Sequence, residues 1–555
     1  MKKKNILFVH LPSLSVKYIV ESMKTKSTQE VNLSFPLGIL YLSSYLRASC
    51  GAVGRVAMLD YPLYVRQGIS KYESIEDFIL KEAQKHIDFK PDIIAFSLMF
   101  SASHQFFKIA AQTLKSLYPN SISVVGGIHA TNISDFLLDQ NCADYVIRGE
   151  GEEAFSKMVE LLAQNLPIDL EGVYSKASHS LPVRDKMTGF IQDLDSLPFP
   201  DWSLLEMDNY LLSDQRRYTD KILDKRMATL ITTRGCPYRC SFCSAHTVHG
   251  RVMRYRSIED IIEEIKTLYE RYGVNIFVPF DDLFTAKKER ALSLLRNIKA
   301  LNIPRMEVQF PNALHVNTLD NDILDLMIEC GVKVFNLAIE TGTEYMQKKI
   351  NKHCDLNKAR MIIDYCRKKG MMVRCNFILG FPGETKEMMS ESTRYMKTIR
   401  PDWYNLYMAT PLIGTEMYDQ FVEKGYIVDC EDTWNQALVQ NRAFDTDEIS
   451  AVDLKRFIDR TNIELNFLNN NNYLEGKFDR ATLLFYDIVK HYPFQIFSYY
   501  GLYLSYRGKK DYAGADGFLK KMEDVIVSDH RAAELYNKYN DLFPENIINR
   551  IGRFV

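Results

Sequence analysis

Short apolar runs alternate with longer segments of helical character twice along this chain, over residues 5–165 and again over residues 228–410. Such alternation marks parallel strands joined by crossover helices, because a parallel pair needs a connection that carries the chain back across the face of the sheet. In the first series the expected strands are residues 6–9, 56–59, 93–97, 121–125 and 145–147. Helices are expected at 37–48, 74–87, 104–117, 133–139 and 152–163. Five strands with four crossovers predict a small doubly wound, Rossmann-like domain whose ligand sits at the carboxyl ends of the strands. The second series predicts strands at 228–232, 275–280, 306–310, 332–338, 372–378 and 403–408. Six βα units make a partial (β/α)6 barrel of TIM type, with its chemistry at the C-terminal strand ends.

At 555 residues the chain is too long for one core. Its expected division is an N-terminal domain over 1–165, a bridge over 166–226, the barrel over 227–420 and an all-α domain over 421–555. The bridge contains Leu197-Pro198-Phe199-Pro200-Asp201-Trp202, whose two prolines forbid a regular element. Beyond Asp453 an Asn470-Asn471-Asn472 run reads as a break. The segment Gly476-Lys477-Phe478-Asp479-Arg480-Ala481 is echoed 32 residues later by Gly508-Lys509-Lys510-Asp511-Tyr512-Ala513. That interval resembles tetratricopeptide-type hairpins, which repeat at roughly 34 residues, although an ordinary helical cap explains it as well.

Apolar residues make up 46% and charged residues 25% of the chain, which excludes extended disorder and coiled coil for any large part. A net charge of -2 argues against an electrostatic nucleic-acid binder. No apolar run reaches the length of a membrane span, and the charged start before Asn5 reads as a tail ahead of a buried strand rather than a secretion signal. Ten cysteines without a disulfide-like pattern point to a reducing compartment, so a cytoplasmic protein is expected.

Three of those cysteines stand in Thr233-Arg234-Gly235-Cys236-Pro237-Tyr238-Arg239-Cys240-Ser241-Phe242-Cys243. Three thiolates at this spacing can bind three irons of one [4Fe-4S] cube and leave the fourth iron open. A structural zinc site closes its fourth position, and His246 and His249 are the candidates here to do so. Cys330, Cys354, Cys366, Cys375 and Cys430 share no compact spacing and read as buried structural thiols.

The loop resembles the signature of the radical S-adenosylmethionine (SAM) enzymes, in which the open iron chelates the amino and carboxylate groups of SAM. The resemblance implies cluster ligation by Cys236, Cys240 and Cys243, with Phe242 against the adenine. It places Asp281 and Asp282, at a strand end, near the SAM ammonium. Glu340, within Ile339-Glu340-Thr341-Gly342, and Asn376, before Gly380-Phe381-Pro382-Gly383-Glu384, would meet the ribose, the amino group or the carboxylate. Asp-Asp at a strand end is also a common turn or cap.

The N-terminal domain is similar to the cobalamin-binding domain of one large radical SAM subfamily. The similarity lies in Ser97, Val125-Gly126-Gly127-Ile128-His129 and Gly149-Glu150-Gly151-Glu152. It implies cobalamin contacts at Asp60, Ser97, Leu98, Gly126, Gly127, His129, Gly149, Glu150, Gly151 and Glu152. The Asp-x-His-x-x-Gly motif that ligates cobalt in other cobalamin proteins is absent, since Tyr61 and Pro62 follow Asp60.

Together these resemblances imply reductive SAM cleavage to a 5'-deoxyadenosyl radical and C-methylation of an unactivated carbon. The substrate would be a small molecule or lipid-like intermediate, and the electron donor a carrier such as flavodoxin or ferredoxin. A radical cyclase or oxidoreductase of the same subfamily fits the same residues. A transfer-RNA methylthiotransferase should carry a second cysteine trio, where this chain has Cys50 and Cys142. A non-catalytic cobalamin-binding sensor or adaptor is the remaining alternative.

Overall fold

Ile6, Leu7, Phe8 and Val9 are buried in succession, because the strand that carries them is covered on both faces. The computed structural model describes residues 2–25, 33–176, 189–211, 226–436 and 442–551, so parts of the expected bridge and of the C-terminal region lie outside the described residues. Strand β1 (Lys4–His10) lies between β2 (Val53–Asp60) and β3 (Ile93–Ser97). The sheet continues through β4 (Ile122–Gly126), β5 (Tyr145–Ile147) and β6 (Val173–Ser175), in the order β2-β1-β3-β4-β5-β6.

The first five strands are parallel, and β6 runs antiparallel to β5. Residues 173–175, expected to be irregular, form this sixth strand; three residues are too few to show a period, and pairing with β5 creates the element. Helices Leu37–Ser49, Ile75–His86, His104–Leu117 and Glu152–Gln164 cover the faces. Ser74 caps the second of these by accepting from the Asp77 amide. Chain order reverses between β1 and β3, whose ends His10 and Ser97 lie in register. A ligand crevice opens at such a reversal.

After β7 (Met227–Leu230) a short antiparallel ladder, β8 (Thr233–Arg234) with β9 (Arg254–Tyr255), closes the neck of the cysteine loop. Two parallel sheets follow: β7 with β10 (Ile276–Pro279) and β11 (Glu307–Val308), then β12 (Val334–Glu340), β13 (Met372–Leu379) and β14 (Trp403–Met408). A parallel bridge between Leu314 and Leu337 joins them, so six strands follow in chain order as an open barrel. β11 is shorter than the expected 306–310; Pro311, just beyond, has no N–H to give a ladder.

β14 is the barrel's free edge, and the chain covers it with side chains. Asn466 accepts from the Tyr404 amide and donates to the Tyr404 carbonyl, both at 2.8 Å, so its amide stands in for a residue of a neighbouring strand. Asn470 and Asn471 donate to the Asp402 and Pro401 carbonyls at 3.1 and 2.7 Å. The Asn470-Asn471-Asn472 run is therefore a buried anchor with its own helical turn, Asn471–Leu474, rather than the expected break. Helices Phe478–His491 and Ile496–Gly508, then Tyr512–Ser528 and His530–Tyr539, surround a separate core that includes Phe485, Phe497 and Met522. Both echoed segments open the first helix of a pair.

Candidate active site

The cysteine loop leaves β8 at the barrel mouth and is braced from two sides: the Ser241 amide donates to the Ile350 carbonyl at 3.0 Å, and the Met417 amide to the Ser241 carbonyl at 2.8 Å. Tyr238 stacks on His315, with centroids 4.1 Å apart and planes 5° from parallel. Cys236, Cys240 and Cys243 are free thiols. Burial pushes the Cys240 thiol up to about 11, opposed by the charge of Lys352; Cys236 and Cys243 are raised by the same cause. His249 is tethered through Nδ1 to Glu150 at 3.0 Å and His246 through Nδ1 to the Cys243 carbonyl at 3.2 Å. Cys330, Cys354, Cys366 and Cys375 are buried. Among the described residues no three His, Cys, Asp or Glu groups gather on a single-ion site. Three free thiols of one loop are the donor set that a cube open at one iron requires.

Around this loop the expected SAM residues divide. Asp281 is buried and accepts from the Thr232 amide at 2.6 Å, the Thr233 amide at 3.1 Å and the Thr232 hydroxyl at 2.5 Å. Its carboxylate pins the strand end from which the cysteine loop departs. Asp282 is partly exposed and faces the thiols closely enough for its charge to raise Cys236 and Cys243.

Glu340 is buried at the end of β12, where a register shift and a left-handed φ of 71° re-aim its side chain. Burial raises its carboxyl, and Lys352, whose Nζ lies 3.8 Å away, opposes that rise. Lys352 was absent from the sequence expectations. It is a buried cation that acts on all three thiols, presented by a turn in which Asn351 and His353 are both left-handed. Asn376 accepts from the Asn405 side chain at 2.9 Å, and the half-buried Phe242 lies 5.8 Å from the Phe381 ring.

In the N-terminal sheet, Ser97, Leu98 and the Gly126-Gly127 turn lie together at the strand ends. Gly127, with φ of 109°, is required because a β-carbon there would stand 2.7 Å from the Leu98 carbonyl oxygen. Gly149 is also left-handed, and Gly151 packs against Leu42. Four of the residues expected to meet cobalamin hold protein partners through their side chains. Asp60 pairs with His10 Nδ1 at 3.0 Å and accepts from the Tyr210 hydroxyl at 2.5 Å. His129 is buried between Ser101, 3.1 Å from its Nδ1, and His104, 3.3 Å from its Nε2, with Trp434 edge-on. Burial pulls His129 down to about 3 and His104 to about 4, so both stay neutral.

Glu150 and Glu152 are engaged by the barrel. Glu150 accepts two parallel bonds from Arg254 at 2.7 Å each, one from His249 at 3.0 Å and one from the Ile191 amide at 3.0 Å; Arg234 stands 3.3 Å away. Glu152 accepts from Arg234 at 2.6 Å. Burial works to raise the Glu150 carboxyl, but the bonds from His249 and Arg254 outweigh it and hold it well below the usual range. Such groups bind one another, and no local pattern announced their partners. Met99 and Phe100, directly after β3, remain 43% and 54% exposed and offer an apolar platform at the β1/β3 crevice, where a large planar ligand can lie.

Residues 31–159 match the B12 binding domain family and residues 230–396 the radical SAM superfamily. The chain combines a B12-binding domain with a radical SAM domain. A [4Fe-4S] cluster and SAM go with the radical SAM domain, and cobalamin with the other. The uncharacterized methyltransferase PH0819 of Pyrococcus horikoshii is 26% identical over 83% of this chain and 91% of its own length. Cytidylyl-2-hydroxyethylphosphonate methyltransferase of Streptomyces wedmorensis is 28% identical over 71% of this chain and 79% of its own. Anaerobic magnesium-protoporphyrin IX monomethyl ester cyclases are also relatives. The solved structure of OxsB, a cobalamin-dependent SAM radical enzyme, shares the fold with a TM-score of 0.61 at 14% identity, over 99% of this chain and 84% of that one. No helix among the described residues is long and apolar enough to cross a membrane.

Proposed function

We propose that this radical SAM enzyme is a cobalamin-dependent C-methyltransferase acting on an unactivated carbon of a small-molecule or lipid-like substrate. The observation that carries the reading is the direct clamp of the cysteine loop onto the strand ends of the B12-binding domain through Glu150 and Glu152, which supports two cofactor sites sharing one mouth. Relatives named as methyltransferases support methyl transfer.

Cys236, Cys240 and Cys243 hold the cluster. Lys352 receives the SAM carboxylate, a buried ammonium being matched to an anion in a chamber with little water. Asp282 meets the SAM amino group, and Glu340 and Asn376 orient the ribose. The Phe242–Phe381 pair supplies an apolar wall for adenine. When bound, the cluster supplies the electron that cleaves the sulfonium, and cobalamin carries the methyl group to be delivered. The chain's own residues fix SAM in one pose and keep competing hydrogen donors away. The electron comes from a low-potential carrier such as flavodoxin or ferredoxin.

After anaerobic reconstitution, a SAM assay on the reduced holoenzyme should yield both S-adenosylhomocysteine and 5'-deoxyadenosine. 5'-Deoxyadenosine alone would exclude methylation and favour a radical cyclase, the second reading, which the cyclase relatives support.

A further inference from the structure

The neck of the cysteine loop has three anchors: Arg234 on β8, His249 in the turn that ends the loop, and Arg254 on β9. All three converge on one carboxylate of the other domain. Glu150 has a side chain only 1% exposed, and it meets Arg254 with two parallel bonds at 2.7 Å, the geometry that fixes direction as well as distance. Arg234, an ion-pair neighbour of Glu150, donates its hydrogen bond to Glu152 at 2.6 Å. The neck is closely packed: Gly235, at φ of 90°, lies so near the Val252 carbonyl that a β-carbon would collide. Glu150 lies three residues past the end of β5, between Gly149, which is left-handed, and Gly151. A displacement of the loop relative to that strand end would break four polar contacts to one buried group, each costly to leave unmade.

We infer that Glu150 is a positioning residue: it locks the cysteine loop to the B12-binding domain and thereby sets the separation between the cluster and cobalamin. This rests on the reading that both cofactors bind at the shared mouth. Reactions between two bound centres tolerate little misplacement, so a rigid link at this point has a direct function.

The test uses the full chain loaded with both cofactors, the cluster reduced and the corrinoid as cob(II)alamin, so that both centres are paramagnetic. Pulsed electron paramagnetic resonance then reads their distance distribution. Wild type should give a narrow distribution, which E150Q loses while retaining iron and corrinoid. An E150Q distribution as narrow as wild type, at the same mean, overturns the inference. Should E150Q fail to take up its cluster, R254K decides, because lysine keeps the charge without the two parallel bonds: a broadened distribution supports the latch and an unchanged one overturns it. Cluster loss from both variants would assign Glu150 to stability alone and also overturn it. A wild type without corrinoid absorbance fails the functional reading, and the inference with it, before any variant is compared.

Discussion

Lys352 shows how much a single side chain can depend on its neighbours' backbone. Asn351 and His353 both have φ of 53°, and these bends turn between them a lysine that would otherwise be solvated. It balances the buried Glu340 carboxylate and faces the thiols. K352M should keep its iron but bind SAM at least about tenfold more weakly, about 1.4 kcal/mol, the worth of one charge-assisted hydrogen bond. With its cation gone the Glu340 carboxyl rises further. Its ionised form then fades as pH falls, so SAM affinity should drop more steeply on acidification in K352M than in wild type. Equilibrium dialysis across neutral pH checks both points, and wild-type affinity in K352M would remove Lys352 from the site. The cysteine trio was legible because three thiols in one loop are a local signal. Lys352 was not, since a lysine after a helix reads as surface. Asp281 and Asp282 could not be separated either, because adjacent residues at a strand end point opposite ways and only the fold says which way is inward.

Among elements, the turn after β13 illustrates a buried acid with a structural task. Glu384, fully buried, accepts from the Gly380 and Phe381 amides at 2.7 and 3.1 Å, and so shapes the segment that sets Phe381 against Phe242. Burial pushes its carboxyl up to about 7. The folded chain therefore holds this proton at pH values where the unfolded chain, near the ordinary glutamate value, has lost it. Stability from this group is intact below about pH 4 and declines as pH rises to about 7, by roughly 3 kcal/mol in all. E384Q, which keeps the accepting oxygen, should lack that decline. Thermal midpoints of the two proteins over this range test it, and a constant gap would refute it. Longer elements were legible: β3, β14 and the helix His104–Leu117 stand where periodicity placed them. The missed ones, β6 and the β8–β9 ladder, have two or three residues each and exist through their partners.

For the whole molecule, the open barrel leaves β14 as an edge, and edges with free amides recruit other chains. Asn466 and the C-terminal helices close it, with Trp403 packed on Phe467. A chain ending at Asn462 should self-associate through this edge, seen as high-mass species in size exclusion with light scattering; a monomer that still binds SAM would show that the cap is dispensable. The sequence alone determined the two βα series and the thiol loop, because hydrophobic period and close spacing are properties of neighbouring residues. The tertiary structure decided which charges meet one another and which stand beside the thiols. Glu150 and Arg254 meet across 104 residues of chain, and a carboxylate's role is set by the partner that reaches it in space.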